Sequence, residues 1–169
     1  MLAPLLWLAA SLVAVGQPAG PIVLSDQYDH TWQLSDARGS VLVLIDGDQD
    51  GSEYNGAWGR ALRGRYKGAA SDQFKVVFVA HLTLAPSFMH GWVKGKFLSK
   101  DAAHPNGPIL LDWKGAVGHQ FGFRSNHCNV YVIDGRGVLR FTGWGQATAA
   151  EVAPLFDVID GLLGSFPVR

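Results

Sequence analysis

Hydrophobic and polar positions divide the chain into short apolar runs separated by glycine-rich or acidic breaks. Val41 to Ile45 is an unbroken aliphatic run released by Gly39. A short run that does not alternate reads as a strand covered on both faces. Phe74 to Ala80 repeats that pattern, and Pro108 to Leu111 does so more briefly. Val130 to Ile133 and Val138 to Phe141 flank Asp134-Gly135-Arg136-Gly137, and Asp-Gly chemistry between two apolar runs predicts a hairpin. Nearer the start, Ile22 to Leu24 and Thr31 to Leu34 predict two short strands joined by a polar turn.

Helical spacing appears in three places. Tyr54, Trp58, Ala61 and Leu62 recur on one face, with Asp50 and Glu53 placed as a capping box at the helix start. Trp92 to Leu98 predicts a second, short helix. Val152, Leu155, Phe156, Ile159 and Leu163 predict a third, with Thr148 and Glu151 as its capping box and Pro154 marking its first turn or a kink. Strands alternating with helices and ending in hairpin then helix give an α/β three-layer sandwich around a mixed sheet.

The N-terminal apolar run, Leu5 to Val15, ends at Gly16-Gln17-Pro18. As a helix it would span roughly 16 Å, about half a bilayer core, which is too short to cross a membrane. It fits the apolar region of a signal peptide, with Ala14 and Gly16 as small residues before the cut, although the segment carries no Lys or Arg. Residues 1–16 are therefore expected to be a signal peptide and 17–169 one domain, periplasmic or secreted.

Composition narrows the function. Lys+Arg 14 balance Asp+Glu 14, which removes the usual electrostatic reason to expect nucleic acid. A single cysteine excludes an internal disulfide framework, a CxxC centre and a cysteine-rich zinc site. Six histidines show no H-x-x-x-H spacing, and no cofactor is implied. Basic residues gather between Arg60 and Lys100, a segment that could dock a protein partner, while the stretch from Asp26 to Glu53 is mostly acidic.

Asp46, Asp48 and Asp50 stand on alternate residues and could converge on a hard cation such as calcium. The run lacks the rest of an EF-hand, since the twelfth position is Ala57. It also mimics a phosphatase D-x-D-G motif, but no acidic pair follows Ile109 to Leu111.

Trp32-Gln33-Leu34-Ser35-Asp36-Ala37-Arg38-Gly39 leading into Val41–Leu44 resembles the opening of thioredoxin-fold redoxin domains. Val130 to Gly137 resembles the late strand and hairpin of the same superfamily, and the layout is most similar to YtfJ-type periplasmic proteins. The resemblance implies a thioredoxin-like fold over about 140 residues. It also implies a reaction centre where the first buried strand meets a helix. There the dithiol positions fall on Asp50 and Glu53, and the position of the superfamily's cis-proline falls on Cys128, between His127 and Asn129. A dithiol exchange needs an attacking and a resolving sulfur. The resemblance thus implies a binding or accessory module, with Asp50, Glu53, His127 and Cys128 around its ligand site. The alternatives are a one-thiol oxidoreductase using Cys128 and a metal-binding protein using the Asp46 to Glu53 loop.

Overall fold

The computed structural model describes residues 12–69, 72–103 and 108–164. Seven strands form one mixed sheet in the order β2-β1-β5-β4-β3-β6-β7. The strands are β1 (Val23–Asp26), β2 (Thr31–Gln33), β3 (Val41–Gly47), β4 (Phe74–His81), β5 (Ile109–Asp112), β6 (Asn129–Ile133) and β7 (Leu139–Trp144). The helices are α1 (Asn55–Arg65), α2 (His90–Ala103), α3 (Ala116–Phe121) and α4 (Ala149–Leu163). β3 pairs parallel with β4, and β4 parallel with β5, whereas β6 runs antiparallel to both β3 and β7. The three-layer sandwich and the central position of the predicted strands are as expected.

Every residue of β3 and of β6 is buried, because helices cover both faces of the sheet at these strands. Val41, Val43, Ile45, Cys128, Val130 and Val132 face α1 and α4, meeting Trp58, Leu62, Leu155 and Ile159. Leu42, Leu44, Tyr131 and Ile133 point the other way, onto Val117 and Phe121 of α3 and onto Leu34 and Ala37. The predicted apolar stripe of α4 is the one that packs, and the helix runs through Pro154. Half of the expected capping box forms: Thr148 Oγ1 accepts from the Glu151 N–H at 3.3 Å, while the Thr148 N–H donates to the Gln146 carbonyl rather than to the Glu151 side chain.

Three local expectations are corrected. The helix predicted at Trp92 begins earlier and ends later, at His90 and Ala103, because the glycines at 91 and 95 break the apolar periodicity without breaking the helix. In the β6–β7 hairpin the left-handed residue is Gly137 (φ 80°), not Gly135. Asp134 Oδ1 holds the turn by accepting from the N–H groups of Arg136 and Val138. Asp50 and Glu53 make no capping box: residues 51–54 form a 3-10 turn before α1, and Asp50 has no side-chain cap bond.

Residues 12–19 lie along the sheet. The Val13 N–H donates to Gln120, Gly16 to Leu139 and Ala19 to Gly137, and Pro18 bridges Val138. The proposed cut after Gly16 would remove the first two of these contacts and keep the rest. The remainder of the apolar N-terminal run lies outside the described residues. Among the described residues no helix is long and apolar enough to cross a membrane.

Candidate functional site

The site lies where β3 ends, because a parallel strand must there hand its chain to a helix across the sheet edge. Asp46 and Gly47 are the last residues of β3, and Asp46 stands opposite Asn129 of β6. The chain then turns through residues 48–50 into the 3-10 turn and α1. Asp48 closes this turn by accepting from the Gly51 N–H at 2.9 Å. It reaches across to the loop before β6 as well, accepting from Ser125 Oγ and the Asn126 N–H, both at 2.8 Å. Burial pushes the Asp48 carboxyl up, but the N–H groups of Asn126 and Gly51 and the Ser125 hydroxyl outweigh it and hold the group below the usual carboxylate range.

The second loop is tied from beneath. Buried Asn129 accepts from the Arg124 N–H at 2.9 Å and donates to the Arg124 and His127 carbonyls, each at 3.0 Å. Asn126 adopts φ 62° to make the bend. The two loops meet at Gly51. A Cβ on Gly51 would lie 2.2 Å from the His127 oxygen and 2.4 Å from its carbonyl carbon, so only glycine allows this approach. The contact residue in the 3-10 turn is thus Gly51, one position beyond the expected Asp50.

His127 and Cys128 diverge in the bend just before β6, His127 partly exposed and Cys128 buried. The Cys128 side chain enters the core facing α1 and α4 and is fully buried. Burial, and then the negative charge of Asp46, push its thiol up to about 12. Cys128 is free, and the carboxylate acting on it is Asp46 rather than Asp50 or Glu53. There is no cis peptide among the described residues, so the position matched to the superfamily's cis-proline is an ordinary trans bond.

His127 turns outward to one wall of an open cleft of about 350 Å³, lined by Tyr54, Asn126, His127, Trp144, Gly145, Gln146, Thr148 and Glu151. Its ring meets Trp144 edge-on at 5.1 Å, and the Arg124 guanidinium covers Trp144 at 4.2 Å. From the core, the Trp58 Nε1–H donates to the Gly145 carbonyl at 2.9 Å. Gly145 in turn donates to the Cys128 carbonyl at 2.8 Å. Of the four residues expected around a ligand, the structure places His127 in the cleft and Cys128 behind it. Asp50 and Glu53 lie on the solvent side of the 3-10 turn. Tyr54, Trp144 and Gln146 were missed; an aromatic just before the Gly145-Gln146 turn at the end of a strand was the available signal.

On the other face of the sheet, Asp46 is fully buried and neither carboxylate oxygen has a hydrogen-bond partner. His81, at the end of β4, places Nδ1 3.6 Å from Asp46 Oδ2 and stacks on Phe123 at 3.7 Å. Burial raises the Asp46 carboxyl to about 6, against the lowering effect of His81. His81 is itself raised: burial works against its charge, but Asp46 outweighs that. Asp112 is engaged elsewhere, accepting from the Ala116 and Val117 N–H groups at the start of α3. Among the described residues no three His, Cys, Asp or Glu side chains are grouped to hold a metal ion. The expected convergence of Asp46, Asp48 and Asp50 does not form: the first sinks under the sheet edge, the second clamps two loops and the third faces solvent.

No protein-family model matches the chain, and no curated protein matches it. Solved structures do. A candidate thiol:disulfide interchange protein DsbE from Chlorobium tepidum superposes with TM-score 0.66 at 22% identity, covering 90% of this chain and 99% of that one. A candidate protein disulfide isomerase from Bacteroides thetaiotaomicron gives 0.67 at 18% identity, covering 90% and 92%. The exposed lipoprotein thioredoxin of Streptococcus pneumoniae gives 0.62 at 20% identity, covering 83% and 99%. At these identities the likeness establishes the fold. It is thioredoxin-like.

Proposed function

We propose that this thioredoxin-fold protein is an exported binding module without thiol redox chemistry, and that it holds an extended polypeptide segment in the cleft between Tyr54, His127 and Trp144. The burial of Cys128 carries the reading. Burial pushes its thiol up to about 12, so it stays protonated at neutral pH, and the thiolate is the nucleophile. The one-thiol oxidoreductase would need Cys128 to leave the core it shares with Trp58 and Val130.

The shape of the cleft favours a polypeptide over a small molecule. Drug-sized ligands bury most of their surface in enclosed pockets. This cleft is open, and it combines ring faces with the amide groups of Asn126 and Gln146 and the carboxylate of Glu151. Such a surface can stack on side chains and pair with a peptide backbone. Export is supported by the apolar N-terminal run and by the likeness to an exposed lipoprotein. The basic stretch from Arg60 to Lys100 supports a partner surface only in part, because Arg65 pairs with Asp160, Lys75 donates to the Asp36 carbonyl and Lys94 pairs with Asp29.

Titration of the labelled protein with reduced, carboxymethylated α-lactalbumin, an unfolded probe without free thiols, is expected to shift amide signals of residues 126–128 and 144–148. Trp144→Ala should weaken binding about tenfold, the loss expected for one aromatic anchor. Shifts confined to other surfaces, or equal binding by Trp144→Ala, would remove the cleft from the account.

A further inference from the structure

The segment joining β4 to α2 and the first turns of α2 carry large apolar side chains that the fold does not use. Leu84 is 88% exposed, Phe88 86% and Trp92 61%. No described residue of α2 belongs to either apolar core, although Trp92, Val93, Phe97 and Leu98 lie on that helix. α2 is held instead by edge contacts: the His90 ring stacks on Trp113 at 3.8 Å, and Lys94 pairs with Asp29. An apolar surface of this kind on a folded domain marks an interaction site.

Charge and shape identify the partner. On the exposed flank of α2 the cation beside the apolar side chains is Lys96, since Lys94 is paired with Asp29 and Lys75 donates to the Asp36 carbonyl. Lys96 sets its Nζ over the Trp92 ring at 5.0 Å, an ammonium and an amphipathic ring side by side on the exposed flank. Leu84 and Phe88 stand out from the surface as projections. A fluid apolar layer beneath anionic headgroups accepts such projections without shape matching. Leu, Phe and Trp enter the headgroup–acyl boundary while lysines stay at the phosphates.

We propose that the Leu84, Phe88 and Trp92 edge, with Lys96 beside it, docks the protein on an anionic phospholipid surface. The docking is peripheral and reversible, through a few side chains rather than a spanning segment. It does not depend on what the Tyr54–Trp144 cleft binds.

The test uses the full chain and vesicles of phosphatidylglycerol and phosphatidylcholine, with pure phosphatidylcholine as comparison. Because the N-terminal apolar run could itself bind lipid, the readout is placed at the edge. Phe88→Cys is labelled under native conditions with an environment-sensitive fluorophore, in a Cys128→Ala background so that only position 88 reacts. The label is expected to shift to the blue on anionic vesicles and to be quenched by nitroxide lipids. The response should fall about tenfold or more between 50 and 300 mM salt, and on pure phosphatidylcholine, as surface electrostatics require. Separately, Leu84→Ser with Phe88→Ser should lower vesicle flotation at least about tenfold while leaving the thermal midpoint unchanged, since neither side chain is packed. A label that stays in water on vesicles, or equal flotation by the double variant, would overturn the proposal. So would a label response that tracks protein concentration without lipid, which would assign the edge to a second copy of the chain.

Discussion

Gly51→Ala is expected to destabilise the protein by about 3 kcal/mol or more, among the largest effects of any single methyl group in the molecule. The added carbon would lie 2.2, 2.4 and 2.9 Å from the oxygen, carbonyl carbon and nitrogen of His127. These are backbone atoms, so no rotamer change relieves the overlap. The loop that carries them cannot swing away cheaply, since Asp48 holds it at Ser125 and Asn126, and Asn129 holds it at Arg124 and His127. Gly64→Ala is the matched control. It lies within α1 with nothing within 4 Å of its Cβ position, so helix propensity should make it stabilising by about 0.5–1 kcal/mol. Urea denaturation of the two variants reads the contrast directly. Equal midpoints would mean that the 3-10 turn and the loop before β6 are not in contact.

Asp46→Asn is expected to stabilise the protein at neutral pH and not at pH 4, with a difference between the two conditions on the order of 2 kcal/mol. The sign follows from the carboxyl being raised from 3.8 to about 6 by burial. Between those values the folded state binds the proton more tightly than the unfolded chain, so stability falls as pH rises from about 4 through about 6. At about 1.4 kcal/mol for each tenfold change in proton affinity, a carboxyl raised to about 6 with the lowering effect of His81 already included gives an effect on the order of 2–3 kcal/mol. His81 works in the same direction. Its folded-state affinity is raised, so its contribution is present below its unfolded value of 6.5 and is lost as pH rises through the folded one. Carboxylates held low, such as Asp48 and Asp134, do the opposite and lose their contribution as pH falls. For that reason the quantity to measure is the stability of the variant minus that of the parent across pH 4–8. A difference independent of pH would show that Asp46 ionises normally and is not buried as described.

Much of the scaffold was legible because it depends on local pattern. The aliphatic runs of β3 and β6 have no polar position to offer solvent, so only a sheet covered on both faces accommodates them. The stripe on α4 and the Thr148 cap were equally plain. The site was read less well, because its contacts join residues far apart in the chain. Asp48 is a loop clamp only by virtue of Ser125 and Asn126, which approach it through the β3–β6 pairing. Read locally, it was one of three alternating carboxylates. His81 and Asp46 meet because β3 and β4 are parallel and end together, which no spacing in the sequence displays. The divergence of His127 and Cys128 in the bend ahead of β6 decides whether the lone sulfur can act.

That sulfur is where the account is most directly tested. The rate of Cys128 alkylation by iodoacetamide at pH 7.5 should be measured in the native protein and in 6 M guanidinium, where the thiol is free. The expected result is native labelling slower by about 10³-fold or more, since reaction requires the core around Cys128 to open. Native labelling within a few-fold of the unfolded rate, or rapid labelling at pH 6 together with a peroxide turnover that Cys128→Ala abolishes, would contradict it and make the protein a one-thiol enzyme.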